Sequence, residues 1–472
     1  MRRVKIIATI GPRTESAESL LALSEAGMDV VRLNGSHADA AWHAATVARV
    51  RQVLPDTPIL LDLPGSKIRT ASMPGEIALQ RGDELVLTSD RSSRGARRVV
   101  VESDSFQSSV SRGDVLLLDD GMLRLTVRDV SGTDVVCVAE NSAGLKGRKG
   151  VQMEGAALRN EFMSEQDRRL LAFAVDQGID FVGLSFVERA AEVETARLLA
   201  GKRGPRLIAK IETSQAIDNL DAILDVADAV MVDRGDLSVE TSLERVALLQ
   251  KQVLCRARRA ACPVIVATQM LHSMTRSPIP TQAEVSDISH AVFDGAAALM
   301  LSGETAVGEF PLESVSVMRR IAQSAAAHQR VVESVPDAPA DSIPHAVADA
   351  IALLCHRLPV TKIVVITITG FAARMVAATQ PRQPILAISN DAGAARAFNL
   401  FSGTRGIHVD VPFERTNVAH VPHVLHVLWT RGELVDTDTI LVTTLGYPAS
   451  GNRMNLIETH RVADLRQSLG WR

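Results

Sequence analysis

Aromatic residues are scarce in this chain of 472 residues, which has one tyrosine, three tryptophans and 11 phenylalanines. Proteins that bind single-stranded nucleic acid stack bases on aromatic side chains, so this composition argues against that class. The formal net charge is only −4, which provides no strong field toward nucleic acid or an anionic membrane. We therefore expect neither a nucleic-acid nor a membrane partner.

Cysteine and long apolar runs are also in short supply. No segment reaches the roughly 18 apolar residues of a membrane span, and the first apolar run stops at Gly11-Pro12, too early for a secretory signal. The four cysteines show no CxxC spacing of a redox or metal site; they are Cys137, Cys255, Cys262 and Cys355. We expect a reduced compartment, the cytoplasm.

Apolar runs that predict buried β-strands recur through the first three hundred residues, each followed by a helical pattern. They are nearly continuous in valine, isoleucine and leucine, as is typical of parallel strands covered on both faces. The runs are Val4–Ile10, Asp29–Leu33, Pro58–Leu63, Asp180–Phe186, Arg206–Ile211, Ala229–Val232, Pro263–Ala267 and Ala298–Leu301. Eight strands alternating with helices predict a (β/α)8 TIM barrel.

Polar residues follow every one of these runs. In such a barrel the carboxyl ends of the strands meet at one rim, where active sites form. These residues are Thr9; Arg32, Asn34 and Ser36; Asp62; Ser185; Lys210 and Glu212; Arg234 and Asp236; Thr268 and Gln269; and Ser302 and Glu304. Any one of them is ordinary for a loop, but eight polar strand ends at one mouth are difficult to explain by solvation alone.

The stretch from Arg206 to Asp236 gives the sharpest functional indication. Lys210 and Glu212 are two residues apart in a strand, so their side chains point to the same side. A helical crossover leads to a parallel strand that is followed by Asp236, which brings both carboxylates to one rim. This pattern predicts a divalent-cation site beside a lysine for a phosphate. The alternative is a set of solvated loop charges.

Two further units interrupt and follow the barrel pattern. Short alternating runs predict an inserted small β-barrel lid at the rim; they are Glu84–Thr88, Arg98–Val101, Val115–Leu118, Leu123–Val127 and Val135–Val138. A passive insertion is the alternative. A later α/β series has strand candidates at Lys362–Thr367, Pro384–Ile388 and Thr439–Thr443. We expect a barrel catalytic domain (1–66 and 151–330), a lid (67–150) and a C-terminal α/β domain for effector binding or assembly (331–472).

Short motifs along nearly the whole chain resemble those of the pyruvate kinase family. They are KIIATIGP at 5–12, RLNGSH at 32–37, LDDG at 118–121, AKIE at 209–212, RGDL at 234–237, ATQML at 267–271 and LSGET at 301–305. Each could arise by chance, but their order and spacing together are specific. The resemblance implies the same three domains and transfer of the phosphoryl group of phosphoenolpyruvate to ADP, which gives pyruvate and ATP in the last step of glycolysis.

The resemblance also implies roles for individual residues. Lys210 would neutralise charge on the moving phosphoryl group, Arg32 would hold the substrate phosphate, and Thr268 would lie near the carbon that gains a proton. Glu212 and Asp236 would hold Mg²⁺ or Mn²⁺. The substrate would contact Arg32, Lys210, Gly235, Asp236 and Thr268, and the nucleotide would contact Asn34, His37, Arg69 and Lys149. A homotetramer is implied as well.

The chain departs from the family pattern at the potassium site. Many members hold K⁺ with residues matching Asn34, Ser36 and Asp62 and with a threonine, whose place is taken here by Leu63. Lys67 stands where potassium-dependent members often have a glutamate. A fixed ammonium can replace a mobile cation electrostatically, so we hypothesise that Lys67 makes the enzyme independent of K⁺.

Further departures lie beside Asp236 and in the C-terminal domain. Asp233 replaces a customary alanine and Ser238 a customary glycine. Pointing inward, Asp233 would repel an anionic substrate; pointing outward, it would pair with Arg234. In the C-terminal domain, Thr367 and Thr369 are expected to hold a phosphorylated effector, although the apolar residues that follow argue against fructose 1,6-bisphosphate.

Two other functions fit parts of the pattern. One is a barrel lyase acting on another enol or keto acid, which would have no need for the lid lysine Lys149. The other is a weakly catalytic paralogue with a regulatory role or an altered substrate. In such a paralogue Lys210, Glu212, Asp236 and Thr268 would be free to change, yet all four are present.

Overall fold

A closed barrel of eight parallel strands forms the centre of the computed structural model, which describes residues 4–66, 68–103, 106–119, 121–154, 162–328, 342–413, 417–446 and 454–471. The barrel strands, first to eighth, are Lys5–Thr9, Val30–Asn34, Ile59–Asp62, Phe181–Leu184, Arg206–Ile211, Ala229–Asp233, Val264–Ala267 and Ala298–Leu301. Each pairs with the next along the chain, and the eighth closes on the first. The predicted barrel is confirmed, with strand ends within two residues of the prediction.

Helices cover the outside of the barrel. Among the described residues they are Ala17–Ala26, Ala40–Val53, Glu165–Asp176, Ala190–Ala200, Ser214–Asp218, Leu220–Val226, Arg234–Glu240, Leu243–Arg259, Gln282–Phe293, Gly303–Ala306 and Pro311–His328, with a 3₁₀ turn at His272–Thr275. Local sequence sets their ends. Thr281 and Glu284 form a capping box at the start of one helix, and Gly27 ends another at φ 132°, where a side chain is disfavoured.

The insertion between the third and fourth barrel strands is a β domain. Its six-stranded sheet runs in the order Val151–Met153, Val115–Leu118, Leu123–Ser131, Asp134–Ala139, Glu84–Thr88 and Arg98–Val100. Glu76–Leu79 pairs with Ala143–Lys146 in a separate ribbon, and Phe106–Ser109 is a 3₁₀ turn. The five predicted runs all fall in strands. The sequence pattern does not predict Glu76–Leu79, Ala143–Lys146 or Val151–Met153, because each has at most one β-branched residue and therefore carries little strand signal.

The C-terminal domain is a five-stranded sheet covered by helices. Its strand order is Thr404–His408, Ile385–Ser389, Lys362–Ile366, Thr439–Thr444 and Leu456–Arg461, of which the last is antiparallel. The helices described here are Ile343–Arg357, Phe371–Ala378, Ala392–Ala397, His420–Thr430 and Val462–Leu469, with a 3₁₀ turn at Phe398–Leu400. The three predicted strands are confirmed. The two edge strands, which carry exposed polar residues, are not predicted by the apolar pattern.

The C-terminal domain packs against the amino ends of the barrel strands. The buried ammonium of Lys5 donates to the carbonyl of Thr404 at 2.7 Å. Asp180, which directly precedes the fourth barrel strand, pairs with Arg396 at 3.1 Å. Residues of the barrel interior and of this domain also belong to one apolar cluster. The opposite rim, where the strands end, is therefore left open for the site and the lid.

Of the helices in the described ranges, none has both the length and the apolar character needed to cross a bilayer.

Candidate active site

Lys210 lies at the carboxyl end of the fifth barrel strand and is buried among acidic side chains. Its ammonium lies 2.8 Å from Glu212 Oε1, 3.4 Å from Asp233 Oδ2 and 3.6 Å from Asp62 Oδ1. It also donates a hydrogen bond to Ser185 Oγ at 2.9 Å. Lys210 and Glu212 meet there because residues two apart in a strand leave the same face. One ammonium thus joins groups from four strand ends.

The charge of Lys210 is fixed by this environment. Burial alone would lower the pKa of its ammonium, because a low-dielectric surrounding disfavours charge. The carboxylates of Asp62, Glu212, Asp233 and Asp236 outweigh burial and together hold the pKa of Lys210 well above its usual range. A pKa raised by folding stabilises the protein below the unfolded value of about 10.4, and this contribution is lost only as the pH rises through the folded value. Lys210 therefore stays cationic at neutral pH.

Arg32, at the end of the second strand, extends the charged cluster to the other side of the mouth. Its Nε and one terminal nitrogen donate to the same Asp62 oxygen at 3.1 and 2.7 Å. Its other terminal nitrogen donates to Thr9 Oγ1 at 2.9 Å, and the Thr9 hydroxyl donates to the carbonyl of Leu301. Arg32 and Asp62 are both buried, so the guanidinium is held in one orientation by neighbouring strands.

Thr268 occupies the end of the seventh strand in an uncommon backbone conformation. Its φ is +65°, and that of Gln269 is +55°; a left-handed conformation is strained for a β-branched residue. Arg234 compensates by donating to the carbonyls of Thr268 and Gln269 at 2.8 to 3.1 Å and by pairing with Asp287. This arrangement turns the Thr268 hydroxyl into the mouth, where it accepts from the Gly235 N–H at 2.9 Å.

Asp233 points into the site. Its Oδ1 lies 3.1 Å from Thr268 Oγ1, and its Oδ2 lies 3.4 Å from Lys210 Nζ. Arg234 faces the other way toward Asp287, so of the two orientations considered for Asp233, inward or outward with Arg234, the structure has the inward one. Side chains of successive residues at a strand end point to opposite sides, so Asp233 and Arg234 face opposite ways.

A divalent cation fits the acidic part of the mouth. Carboxylate oxygens of Glu212, Asp233 and Asp236 all lie within 4.8 Å of one another. Oxygen donors from several carboxylates are the ligands that Mg²⁺ and Mn²⁺ use in proteins. The Phe186 N–H donates to Glu212 Oε2 at 2.6 Å, which fixes the orientation of that carboxylate. The predicted pair Glu212 and Asp236 is therefore brought together, with Asp233 beside it.

The residues predicted at the rim fall into two groups. The structure brings Arg32, Asp62, Lys210, Glu212, Gly235, Asp236 and Thr268 to the mouth of the barrel. Lys210 lies between Asp62, which holds Arg32, and Asp233, which contacts Thr268. The cluster is thus continuous from one side of the mouth to the other.

The remaining predicted residues have other partners. Lys149 pairs with Asp119 at 2.7 Å, and Arg69 donates to the carbonyl of Arg148, both within the lid. Next to Arg32, Asn34 Oδ1 accepts from the exposed Ser36 N–H, and His37 is an exposed residue whose carbonyl contacts buried His43. Leu63 is buried and its N–H donates to Gly183. Lys67, predicted to replace the potassium ion, lies outside the described residues.

Two residues that the sequence places at strand ends, without a role assigned to either, belong to the cluster. Ser185 accepts from Lys210 and donates to the carbonyl of Leu63 at 2.8 Å. Thr9 orients Arg32. Both stand at barrel strand ends, so position alone includes them among candidates, but nothing in the sequence indicates which charged residue each one contacts.

The fold and the site together define a class of protein, a (β/α)8-barrel enzyme whose mouth combines a cluster of carboxylates with two buried cations, Lys210 and Arg32. Residues 1–315 match the family described as "Pyruvate kinase, barrel domain", and residues 345–460 match "Pyruvate kinase, alpha/beta domain". The chain therefore belongs to the pyruvate kinase family. The function that this membership carries is phosphoryl transfer from phosphoenolpyruvate to ADP.

Individual relatives agree with this assignment. The pyruvate kinase of Geobacillus stearothermophilus is 37% identical over 98% of this chain and 81% of its own length. That of Agrobacterium vitis is 36% identical over 97% of both chains. The human pyruvate kinase PKLR is 37% identical over 85% of this chain and 74% of its own. A solved pyruvate kinase from Cryptosporidium parvum, 31% identical, superposes with a TM-score of 0.87 over 98% of this chain and 96% of its own.

Proposed function

We propose that Lys210, Arg32 and Thr268 are the catalytic residues of phosphoryl transfer, with Glu212 and Asp236 as ligands of Mg²⁺ or Mn²⁺. The observation that supports this most directly is the position of Lys210, whose ammonium lies between the acidic cluster and the Arg32–Asp62 pair. A divalent ion held by Glu212 and Asp236 would supply positive charge to the anionic substrate.

The two cations act on the phosphoryl group. Catalysis of phosphoryl transfer is mostly positioning and stabilisation of charge. Arg32, held by Asp62 and Thr9, binds the phosphate with a fixed guanidinium. Lys210 lies on the opposite side of Asp62 and neutralises charge on the group as it moves. Neither cation needs to reorganise, because strand ends and buried hydrogen bonds already hold both.

Gly235 and Thr268 act on the rest of the substrate. A Cβ added to Gly235 would lie 3.5 Å from Asp233 Oδ1 and 3.6 Å from Thr268 Oγ1, which is ordinary contact. The fold therefore does not require glycine there, but a side chain would occupy space in the mouth. We assign the Gly235 backbone to the substrate carboxylate. We assign the Thr268 hydroxyl to the carbon that is protonated as pyruvate forms.

The nucleotide is proposed to bind between the barrel rim and the lid. Arg69 is exposed, and Lys149 pairs with the partly exposed Asp119. Surface pairs of this kind contribute little and exchange partners easily, so both cations are available to ADP phosphates when the lid closes. Asn34 and His37, on the loop after Arg32, are the proposed contacts from the barrel side.

Potassium independence stays part of the proposal. Leu63 gives the site an apolar side chain where a hydroxyl is usual, and the ammonium of Lys67 takes the role of the ion. Initial rates in potassium and in tetramethylammonium buffer test this; a fall of about tenfold without potassium, equal to about 1.4 kcal/mol of barrier, contradicts it.

The C-terminal domain is proposed to bind a phosphorylated effector at residues 367–373. Thr367 Oγ1 accepts from the Gly370 N–H at 3.1 Å, and Arg206, at the start of the fifth barrel strand, donates to the Thr369 carbonyl at 3.0 Å. Rates at low substrate with sugar phosphates and AMP test this assignment, and no response to any of them contradicts it.

A cytoplasmic homotetramer is proposed from the family resemblance. Large apolar side chains stay exposed on the barrel helices and loops, including Leu243, Leu248 and Ile279. Light scattering at several protein concentrations measures the oligomeric state directly, and a monomer at every concentration contradicts the assembly.

A coupled assay of ADP-dependent pyruvate formation tests the catalytic assignment. Activity is expected with Mg²⁺ or Mn²⁺. It should be lost with a chelator and should fall by at least about a hundredfold in Glu212→Gln. Lys362→Met, which removes a lysine paired with Asp438 in the C-terminal domain, is the matched control. Activity that persists in chelator or in Glu212→Gln contradicts the assignment, and inactivity of the intact protein would favour a regulatory paralogue.

A further inference from the structure

Asp233 stands inside the charged cluster at a position where the pyruvate kinase family usually has alanine. Its carboxylate oxygens contact Thr268 Oγ1 at 3.1 Å and Lys210 Nζ at 3.4 Å, so both oxygens face the mouth. Asp233 is 7% exposed, which means that its charge is withdrawn from bulk water. A carboxylate in such a place is costly unless cations share its charge.

The charges of the cluster point to the identity of that cation. Carboxylates of Asp62, Glu212 and Asp233 lie within 3.6 Å of the Lys210 ammonium, Asp236 lies beside Glu212 and Asp233, and Arg32 pairs with Asp62. The formal charge of these six groups is therefore −2, which one divalent cation balances. Without Asp233 the same cluster would carry −1. Asp233 thus supplies the charge by which these six groups match one divalent ion.

The distances point to the same conclusion. One oxygen each of Glu212, Asp233 and Asp236 lies within 4.8 Å of the other two, a spacing at which a single ion can contact all three. Thr268 and Lys210 contact different oxygens of Asp233 and so limit rotation of its carboxylate. The ligand set of this chain therefore has three carboxylates where the resemblance supplies two.

We propose that Asp233 is a third carboxylate ligand of the divalent ion and that this chain binds Mg²⁺ or Mn²⁺ more tightly than the two-carboxylate site would. The proposal rests on the assignment of Glu212 and Asp236 as ligands. The alternative role for Asp233 is that of a counter-ion for Lys210 alone, with no contact to the metal.

Calorimetric titration of the metal-free protein with Mn²⁺ alone separates these roles without any assay of activity. Ion affinity rises with the number of charged ligands, so Asp233→Asn is expected to weaken Mn²⁺ binding by at least about tenfold. Asp236→Asn alters one of the two assigned ligands and so tests whether Mn²⁺ binds at the Glu212–Asp236 site at all. Asp221→Asn, in an exposed pair with Arg256, is the control and should bind Mn²⁺ as the parent does.

The hydration of bound Mn²⁺ gives a second readout. If Asp233 is a ligand, Asp233→Ala removes both of its oxygen donors and leaves a coordination position for water, so the number of water molecules on Mn²⁺, measured by pulsed electron paramagnetic resonance, rises by about one. The same variant replaces Asp233→Asn in the titration if the asparagine variant does not fold, as judged by circular dichroism.

The outcomes are distinct. Weaker binding and extra hydration in the Asp233 variants support the proposal. Mn²⁺ affinity within about twofold of the parent in Asp233→Asn, combined with a loss in Asp236→Asn, overturns it and leaves the parent site intact. If Asp236→Asn also binds like the parent, the assignment of the metal site to this mouth fails as a whole.

Discussion

Replacing Lys210 by methionine is expected to have opposite effects on metal binding and on catalysis. Methionine keeps most of the side-chain volume and removes the charge. At an effective dielectric of about 20, the ammonium attracts Glu212 at 2.8 Å by ~6 kcal/mol and Asp233 and Asp62 at 3.4 and 3.6 Å by ~5 kcal/mol each. Most of this attraction is offset by the cost of burying the ions.

The stability of the metal-free protein should therefore fall by less than these attractions. Removing one partner of a buried ionic cluster costs about 3–5 kcal/mol, because the remaining charges are left together. For a domain of this size that corresponds to roughly 6–20 °C in melting temperature. The same excess of negative charge should make Lys210→Met bind Mn²⁺ more tightly than the parent, so added Mn²⁺ should restore much of the lost stability.

The rate should change in the other direction. If Lys210 stabilises the moving phosphoryl group, kcat with saturating Mn²⁺ should fall by about 10²–10³-fold. Calorimetric Mn²⁺ titration, thermal unfolding with and without Mn²⁺, and the coupled assay measure the three quantities, with Lys362→Met as the control. A kcat within tenfold of the parent, or weaker Mn²⁺ binding, would refute the reasoning.

Three further changes test other parts of the structure. Gly235→Ala should keep the parent's melting temperature, because the added Cβ meets only ordinary contacts. It should nevertheless raise the KM for phosphoenolpyruvate about tenfold or more. An unchanged KM would show that the substrate does not approach this backbone. Asp180→Ala removes a buried carboxylate that binds Arg51, Arg396 and the Ile59 N–H, and should lower the free energy of unfolding by about 3–5 kcal/mol. The control Asp221→Ala removes an exposed pair and should lower it by under about 1 kcal/mol. Equal losses of unfolding free energy would contradict a special role for Asp180. Cys255 is exposed, whereas burial raises the pKa of the Cys137 and Cys262 thiols to about 12 and that of Cys355 to about 11. Below these values the unreactive thiol form dominates, so at pH 8 one thiol per folded chain should react rapidly with a thiol reagent. Rapid reaction of the Cys255→Ser variant would disprove this.

The sequence by itself determined the barrel and the set of polar residues at its mouth. Continuous apolar runs are sufficient for this, because a strand covered on both faces has few other residue choices. The rule that active sites lie at the carboxyl ends of barrel strands then places Lys210, Glu212 and Asp236 together before any coordinates are known. Strands such as Glu76–Leu79 escape such reasoning because they are largely exposed and bury few apolar residues.

Only the tertiary structure decided which of these residues contact one another. Asp62, expected to hold a monovalent cation, is bound to Arg32, and Lys210 is shared among carboxylates from neighbouring strands. Local alternation along the strand turns Asp233 inward, but its contact with Thr268 depends on the left-handed backbone at Thr268, which Arg234 holds through the Thr268 and Gln269 carbonyls. Contacts of this kind join residues far apart in the chain, so their distances and shared charges follow from the closure of the barrel rather than from any local pattern.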